Sequence, residues 1–253
     1  MAISRPICAL IATLAVGCTE SAPTEIVPFV QSGKADGLPA HLHRLDDHKL
    51  HVDEPSDLLF TGGKLYTVSD AHSKIYEIDN DGDVKDEIDL VGEDFEALAI
   101  DKTGEFLVAE EGYARIWHVD RDGTRHDAIE VPEALDGNSG IEGLTFDHAG
   151  HMLIAKEKHP SRIIELGANN QRLADEKVDF SADISALTYN PDDHHVYALS
   201  DEDHSLYRLD SAWHVDTAWK LPIKNPEGVA FDGSLVYIAS DSEQRLYLFE
   251  LGN

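Results

Sequence analysis

The sequence predicts an all-β protein: a five-bladed β-propeller over residues 41–253, with four antiparallel strands per blade, closed by an N-terminal strand that completes the last blade. Three observations point to it. Five segments repeat along the chain, each reads as an inner hairpin followed by outer strands, and the strand that the last repeat lacks stands ahead of the first.

Residues 1–17 read as an export signal. Arg5 is followed by an uncharged, mostly apolar run from Ile7 to Gly17, too short to cross a bilayer as a helix. The run ends in LAVGC, which resembles the lipobox of a bacterial lipoprotein, so Cys18 is expected to carry lipid and to attach the protein to a membrane. The other cysteine, Cys8, falls inside the signal, which leaves the folded part without a disulfide. Residues 18–40 are rich in Ser, Pro, Gly and charge without periodicity and read as a flexible tether. The segment HRLDDHKLHV, His43 to Val52, then supplies the closing strand.

The repeats follow. PSDLLFTGGKLYTVSD begins at Pro55, FEALAIDKTGEFLVAEE at Phe95, IEGLTFDHAGHMLIAKE at Ile141, ISALTYNPDDHHVYALSD at Ile184 and PEGVAFDGSLVYIASD at Pro226. Their second positions, Ser56, Glu96, Glu142, Ser185 and Glu227, lie 40, 46, 43 and 42 residues apart, which matches one four-stranded blade per repeat. Within each, an apolar strand, a turn marked by Gly, Asp or Asn, and a second apolar strand form the inner hairpin. A third strand alternates in character, as in KIYEID and SLYRLD, and a fourth is more polar, as in VKDEIDL. Apolar content falls outward because inner strands lie between neighbouring blades while outer ones meet water. In DNDGD and DRDGT, Gly82 and Gly123 supply the positive φ of a tight turn. DNDGD also resembles the start of an EF-hand loop, but the twelve-residue loop and its final glutamate are missing. The last repeat has only three strands; pairing its end with the strand from His43 closes the ring and removes the exposed edge.

With 49 acidic and 20 basic residues the chain has a formal net charge of −29. Such a surface repels nucleic acid and attracts metal cations or basic partners, although most of these charges are expected to be solvated. No nucleic-acid partner is expected, and a monomer is.

The start of each first strand lies beside the end of the antiparallel second strand, so residues at these positions should converge on one rim of the channel. The second strands end in Asp70, Glu111, Glu157, Asp201 and Asp241; the first strands begin with Glu96, Glu142 and Glu227, with Ser56, Asp57 and Ser185 in the other blades. So many carboxylates in a confined mouth cannot all stay ionised without a counter-charge. A bound cation resolves this, and an all-oxygen setting suits Ca²⁺. Glu96, Glu142 and Glu227 are the expected ligands, against the alternative that they cap strands. The second column recurs in every blade, as residues serving the repeat do, so its five acids are read as turn acceptors first and as secondary ligands. His72, His159 and His204 follow second strands and are the candidates for a general base near a metal-bound water. No Walker loop, G-x-S-x-G elbow, HExxH or Rossmann glycine pattern is present, and no nucleophile is evident.

With the signal, the five repeats, and FEALAID, IEGLTFD and NPEGVAFD at blade starts, the chain resembles the SdiA-regulated family of bacterial envelope propellers from about Leu42 to Leu251. The resemblance implies a periplasmic, membrane-attached propeller with calcium as a plausible feature. Thr19, following the modified cysteine, is similar to outer-membrane sorting. PEG at Pro226 to Gly228 is also similar to propeller groups containing calcium-dependent lactonases and esterases, whose channel ligands have no residue-by-residue match here. The functional expectation is a lipid-anchored protein of the cell envelope binding Ca²⁺ and a small ligand or basic protein partner. The alternative is a Ca²⁺-dependent hydrolase of lactones, esters or phosphoesters.

Overall fold

A computed structural model describes residues 29–32, 41–134 and 139–252. Cys18 and the signal lie outside the described residues. The chain forms a five-bladed β-propeller of antiparallel strands with almost no helix. Blade one consists of Pro55–Thr61, Lys64–Ser69, Lys74–Ile78 and Val84–Asp89. Blade two consists of Phe95–Ile100, Phe106–Glu110, Arg115–Val119 and Arg125–Glu130, and blade three of Ile141–Phe146, Met152–Lys156, Arg162–Leu166 and Arg172–Lys177. Ala186–Asn190, His195–Ser200, Ser205–Leu209 and Val215–Lys220 make blade four.

Blade five joins the two ends of the chain. Pro226–Asp232, Leu235–Ser240 and Arg245–Gly252 are completed by His41–Lys49, which pairs antiparallel with the last strand from His41↔Gly252 to Lys49↔Arg245. The closing strand thus begins and ends slightly earlier than the sequence segment from His43 to Val52 suggests. The stretch read as a tether also contributes structure: Phe29–Ser32 pairs with Val215–Lys220 and adds a fifth, outermost strand to blade four, with Gln31 opposite Ala218. The rest of that stretch lies outside the described residues.

Burial follows strand position. Every residue of Phe106–Glu110 is buried, whereas Val84–Asp89 has no buried residue, because only the inner strands are covered on both faces by neighbouring blades. The apolar side chains gather into five clusters, one at each blade interface. The clusters containing Leu58 with Tyr237 and Leu42 with Trp219 flank the closed blade on its two sides. At these interfaces two glycines admit close backbone approach. A Cβ on Gly143 would stand 2.6 Å from the Leu187 amide nitrogen, and one on Gly228 would stand 2.7 Å from the Asp57 carbonyl carbon and the Leu58 nitrogen.

Candidate functional site

Four of the five first strands open with an irregularity in register. The pairing skips one residue between Pro55 and Asp57, Phe95 and Ala97, Ile141 and Gly143, and Pro226 and Gly228. The skipped residues are Ser56, Glu96, Glu142 and Glu227. A bulge leaves one residue out of the ladder and re-aims its side chain, so these four project toward the mouth instead of continuing the strand alternation. In blade four, Ser185 stands just before the strand and donates its hydroxyl to the Pro226 carbonyl at 2.8 Å.

These residues and the ends of the second strands surround one cavity of about 280 Å³. Its lining comprises Ser56, Ser185, Glu96, Glu142, Glu227, Asp70, Glu111, Glu157, Asp201 and Asp241, together with Glu54 and Pro55. None of the lining residues is basic. Asp57, also expected at the rim, does not line it: its buried carboxylate accepts from its own strand at Leu58 N (2.7 Å) and from Leu98 N of blade two (2.9 Å). Asp57 therefore ties two blades together, and burial pushes its pKa well above the usual carboxylate range despite those bonds.

The acids fall into sets that mix the two columns. Oxygens of Glu111, Glu142 and Glu157 lie within 4.8 Å of one another, as do those of Asp70, Asp94 and Glu96. Glu96, Glu142 and Glu227 line the same cavity but do not form a three-residue cluster of their own; each cluster instead joins one first-strand glutamate to acids from second-strand ends or from the loop before blade two. Asp94, which the repeat pattern did not single out, enters through the loop before blade two and accepts from Gly112 N at 2.9 Å. Glu111 is fixed by accepting from Gly140 N at 2.7 Å. Asp183 is fully buried and accepts from Ser200 Oγ (2.6 Å) and from the Asp201 amide (3.0 Å), which sets the start of that loop.

Confinement shifts the titration of these groups. Burial first, then the charges of Asp70 and Glu111, push Glu96 up to about 8, partly opposed by a hydrogen bond from Ser56. Burial and then Asp201, Glu96 and Asp241 push Glu227 up to about 8. Glu142 is held well above the ordinary range by burial and by Glu96, Glu111 and Glu157. Burial, then a hydrogen bond shared with Asp183, raises Asp201 to about 7. Asp70, Glu157 and Asp241 are raised mainly by burial, and the Lys158 ammonium beside Glu157 offsets part of the effect there. A carboxyl whose folded pKa exceeds its unfolded one favours folding fully below the unfolded value, near 4, and that contribution is lost as pH rises through the folded value. Without added cation, the melting temperature should therefore fall between pH 5 and pH 8.5. A calorimetric pH series in chelator checks this, and a flat or rising profile would contradict the electrostatics described.

The three candidate histidines are not at this cavity. Each blade carries a non-glycine residue of positive φ between its second and third strands: Ser73, Ala114, His159, His204 and Gln244. His204 immediately precedes the third strand, as Ser73, Ala114 and Gln244 do, and serves the left-handed bend there, whereas His159 lies three residues before Arg162 and has positive φ ahead of Pro160. His204 donates from Nδ1 to the Ile223 carbonyl at 2.8 Å, and the exposed His159 ring stands 3.4 Å from Ser139 Oγ. His72 is exposed, with Nε2 3.4 Å from an oxygen of Asp53. The expectation that one of them faces a metal-bound water in the cavity finds no counterpart in this geometry.

Solved structures share the fold. A glutaminyl cyclase from Myxococcus xanthus superposes with a TM-score of 0.63 at 10% identity, covering 83% of this chain and 96% of that one. A gluconolactonase from Xanthomonas campestris gives 0.59 at 13%, covering 91% and 98%. Virginiamycin B lyase from Staphylococcus aureus gives 0.53 at 15%, covering 77% and 79%. At such identities the likeness is one of fold. The family model for SdiA-regulated proteins, by contrast, matches residues 38–250, nearly the whole ring, and the chain belongs to the SdiA-regulated family.

Proposed function

We propose that this protein is an envelope-anchored propeller that holds a divalent cation of the Ca²⁺ class in its acid-lined cavity. With that ion the acidic rim binds a small ligand or a basic protein partner. The observation that carries the reading is the lining itself: eight repeat-derived carboxylates about one cavity, with no basic residue among the lining. The donor set fits the ion. All lining side chains that can ligate offer oxygen, none offers sulfur or imidazole nitrogen, and hard oxygen donors select Ca²⁺ over Zn²⁺ or Cu²⁺. Glu111, Glu142 and Glu157 are the favoured ligands, with Glu96, Asp70 and Asp94 as a second set and Glu227 on the cavity wall. Bound Ca²⁺ supplies positive charge that replaces the protons held by the raised carboxyls. Attachment through lipid on Cys18, at the outer membrane, completes the proposal; its support is the LAVGC sequence.

Melting temperature with and without calcium tests the reading. At calcium about a hundred times its Kd, ligand linkage adds roughly 2.7 kcal/mol, a rise of about 5–10 °C for a domain of this size. Chelator should reverse it, and no response to calcium would overturn the proposal. Hydrolysis is the second reading, favoured by Asp201 at about 7 and Glu96 at about 8, a range suited to moving protons at neutral pH. Calcium-dependent turnover of a lactone, aryl ester or phosphoester, lost in Glu142→Gln, would establish it over binding alone.

A further inference from the structure

The acid cavity lies where first strands begin and second strands end; a different cluster sits at the other end of blade two. Glu105 immediately precedes the strand Phe106–Glu110. His118 and His126 are direct cross-strand partners on the third and fourth strands of that blade. Their rings lie 5.9 Å apart and within 29° of parallel. The two oxygens of Glu105 divide between them: Oε2 is 3.4 Å from His118 Nδ1, and Oε1 is 3.7 Å from His126 Nε2, which is also 3.6 Å from Asp120 Oδ1. Glu105 belongs to two groups, each with its own donor atoms within 4.8 Å of one another, one with Asp101 and His118 and the other with Asp120 and His126; the two histidines fall in different groups, and Glu105 is the residue the groups share.

Two features set this cluster apart from ordinary surface ion pairs. The first is the separation between ring and carboxylate. In blade three the two residue types are exchanged, His151 at the position of Glu105 and Glu165 at that of His118, and they are bonded at 2.6 Å, whereas the nitrogens of His118 and His126 stand near Glu105 at distances longer than a hydrogen bond. The second is the setting. Asp101 and His118 also line a separate cavity of about 360 Å³ between blades two and three, whose walls include Ile100, Leu107, Phe146 and Met152, with Lys102 the one basic residue of the lining. Beside that wall the His118 side chain is 23% exposed, so solvent screening is weakened on the His118 side of the cluster, while His126 and Asp120 face more water. Imidazole and carboxylate together suit Zn²⁺-class ions, unlike the all-oxygen acid cavity.

We propose that Glu105, His118 and His126, flanked by Asp101 and Asp120, form a binding site for a divalent transition-metal ion of the Zn²⁺ class, with Glu105 as the common ligand. The full chain, purified without a polyhistidine tag, is titrated with Co²⁺ and then with Zn²⁺. The expected result is a visible Co²⁺ absorption that Zn²⁺ displaces. His118→Ala with His126→Ala should weaken binding by more than about 100-fold, since loss of even outer partners of a metal site costs 10–100-fold. Glu105→Gln, which keeps both rings, carries the same test should the double variant not fold. Glu142→Gln in the acid cavity should leave Co²⁺ binding intact. A wild-type chain without a Zn²⁺-displaceable spectrum, unchanged binding in a folded histidine or Glu105 variant, or loss of binding in Glu142→Gln would overturn the site.

Discussion

Glu142→Gln should lower calcium affinity by a factor on the order of 100 while raising the melting temperature of the calcium-free protein at pH 8. The two effects have one origin. Glu142 faces Glu96, Glu111 and Glu157 in a buried setting, which holds its carboxyl well above the ordinary range. The isosteric amide removes a charge that the folded protein tolerates only with a proton or a cation, so the metal-free state gains. It also removes a charged ligand from the Glu111–Glu142–Glu157 set, a loss of about 3 kcal/mol, which is the factor above. A structural cap at the start of a strand would behave otherwise. Its replacement would lower stability with and without calcium alike, and paired melting curves separate the two.

Gly228→Val should lower the melting temperature by roughly 6–12 °C whether or not calcium is present. A side chain there meets backbone, not a movable side chain: the Asp57 carbonyl carbon and the Leu58 nitrogen of blade one, each 2.7 Å from the first added carbon. Overpacking of this kind costs about 3 kcal/mol, and a domain of this size loses 2–4 °C for each kcal/mol. The position is at the seam where the last blade meets the first, so the strain acts on ring closure itself. Urea unfolding with an unchanged m value checks that stability alone has moved; a variant melting within 2 °C of wild type would mean that the seam relaxes freely.

Much of this architecture can be reasoned from the chain alone, for identifiable reasons. The spacing of Ser56, Glu96, Glu142, Ser185 and Glu227 encodes one blade per repeat, and the three-strand final repeat calls for the strand expected from His43 to Val52, which the structure places at His41–Lys49. Antiparallel pairing makes the start of one strand the neighbour of the other's end, so the shared cavity of these residues with Asp70 and Asp241 follows from topology. What the pattern hides is finer. The bulges that turn Glu96, Glu142 and Glu227 toward the mouth leave no mark in hydrophobic alternation. Asp57 occupies the same strand position as Gly143 and Gly228, and only the distance between blades shows that its carboxylate crosses to Leu98. His159 and His204 follow the second strand like ligands of the mouth, yet both are left-handed turn residues, and His204 has counterparts in Ser73, Ala114 and Gln244. Phe29–Ser32 lacks enough periodicity to be distinguished from a tether, and its strand pairing comes from the unpaired edge of Val215–Lys220.

The most direct measurement is calcium titration by calorimetry at pH 7 in two buffers of different ionisation enthalpy. Glu96 and Glu227, pushed up to about 8, carry protons at that pH that a bound cation must displace. The account predicts saturable binding accompanied by release of about one to two protons per ion, with the release shrinking as pH rises past 8. Binding that releases no protons, or an absence of calcium binding by the intact chain, would contradict it.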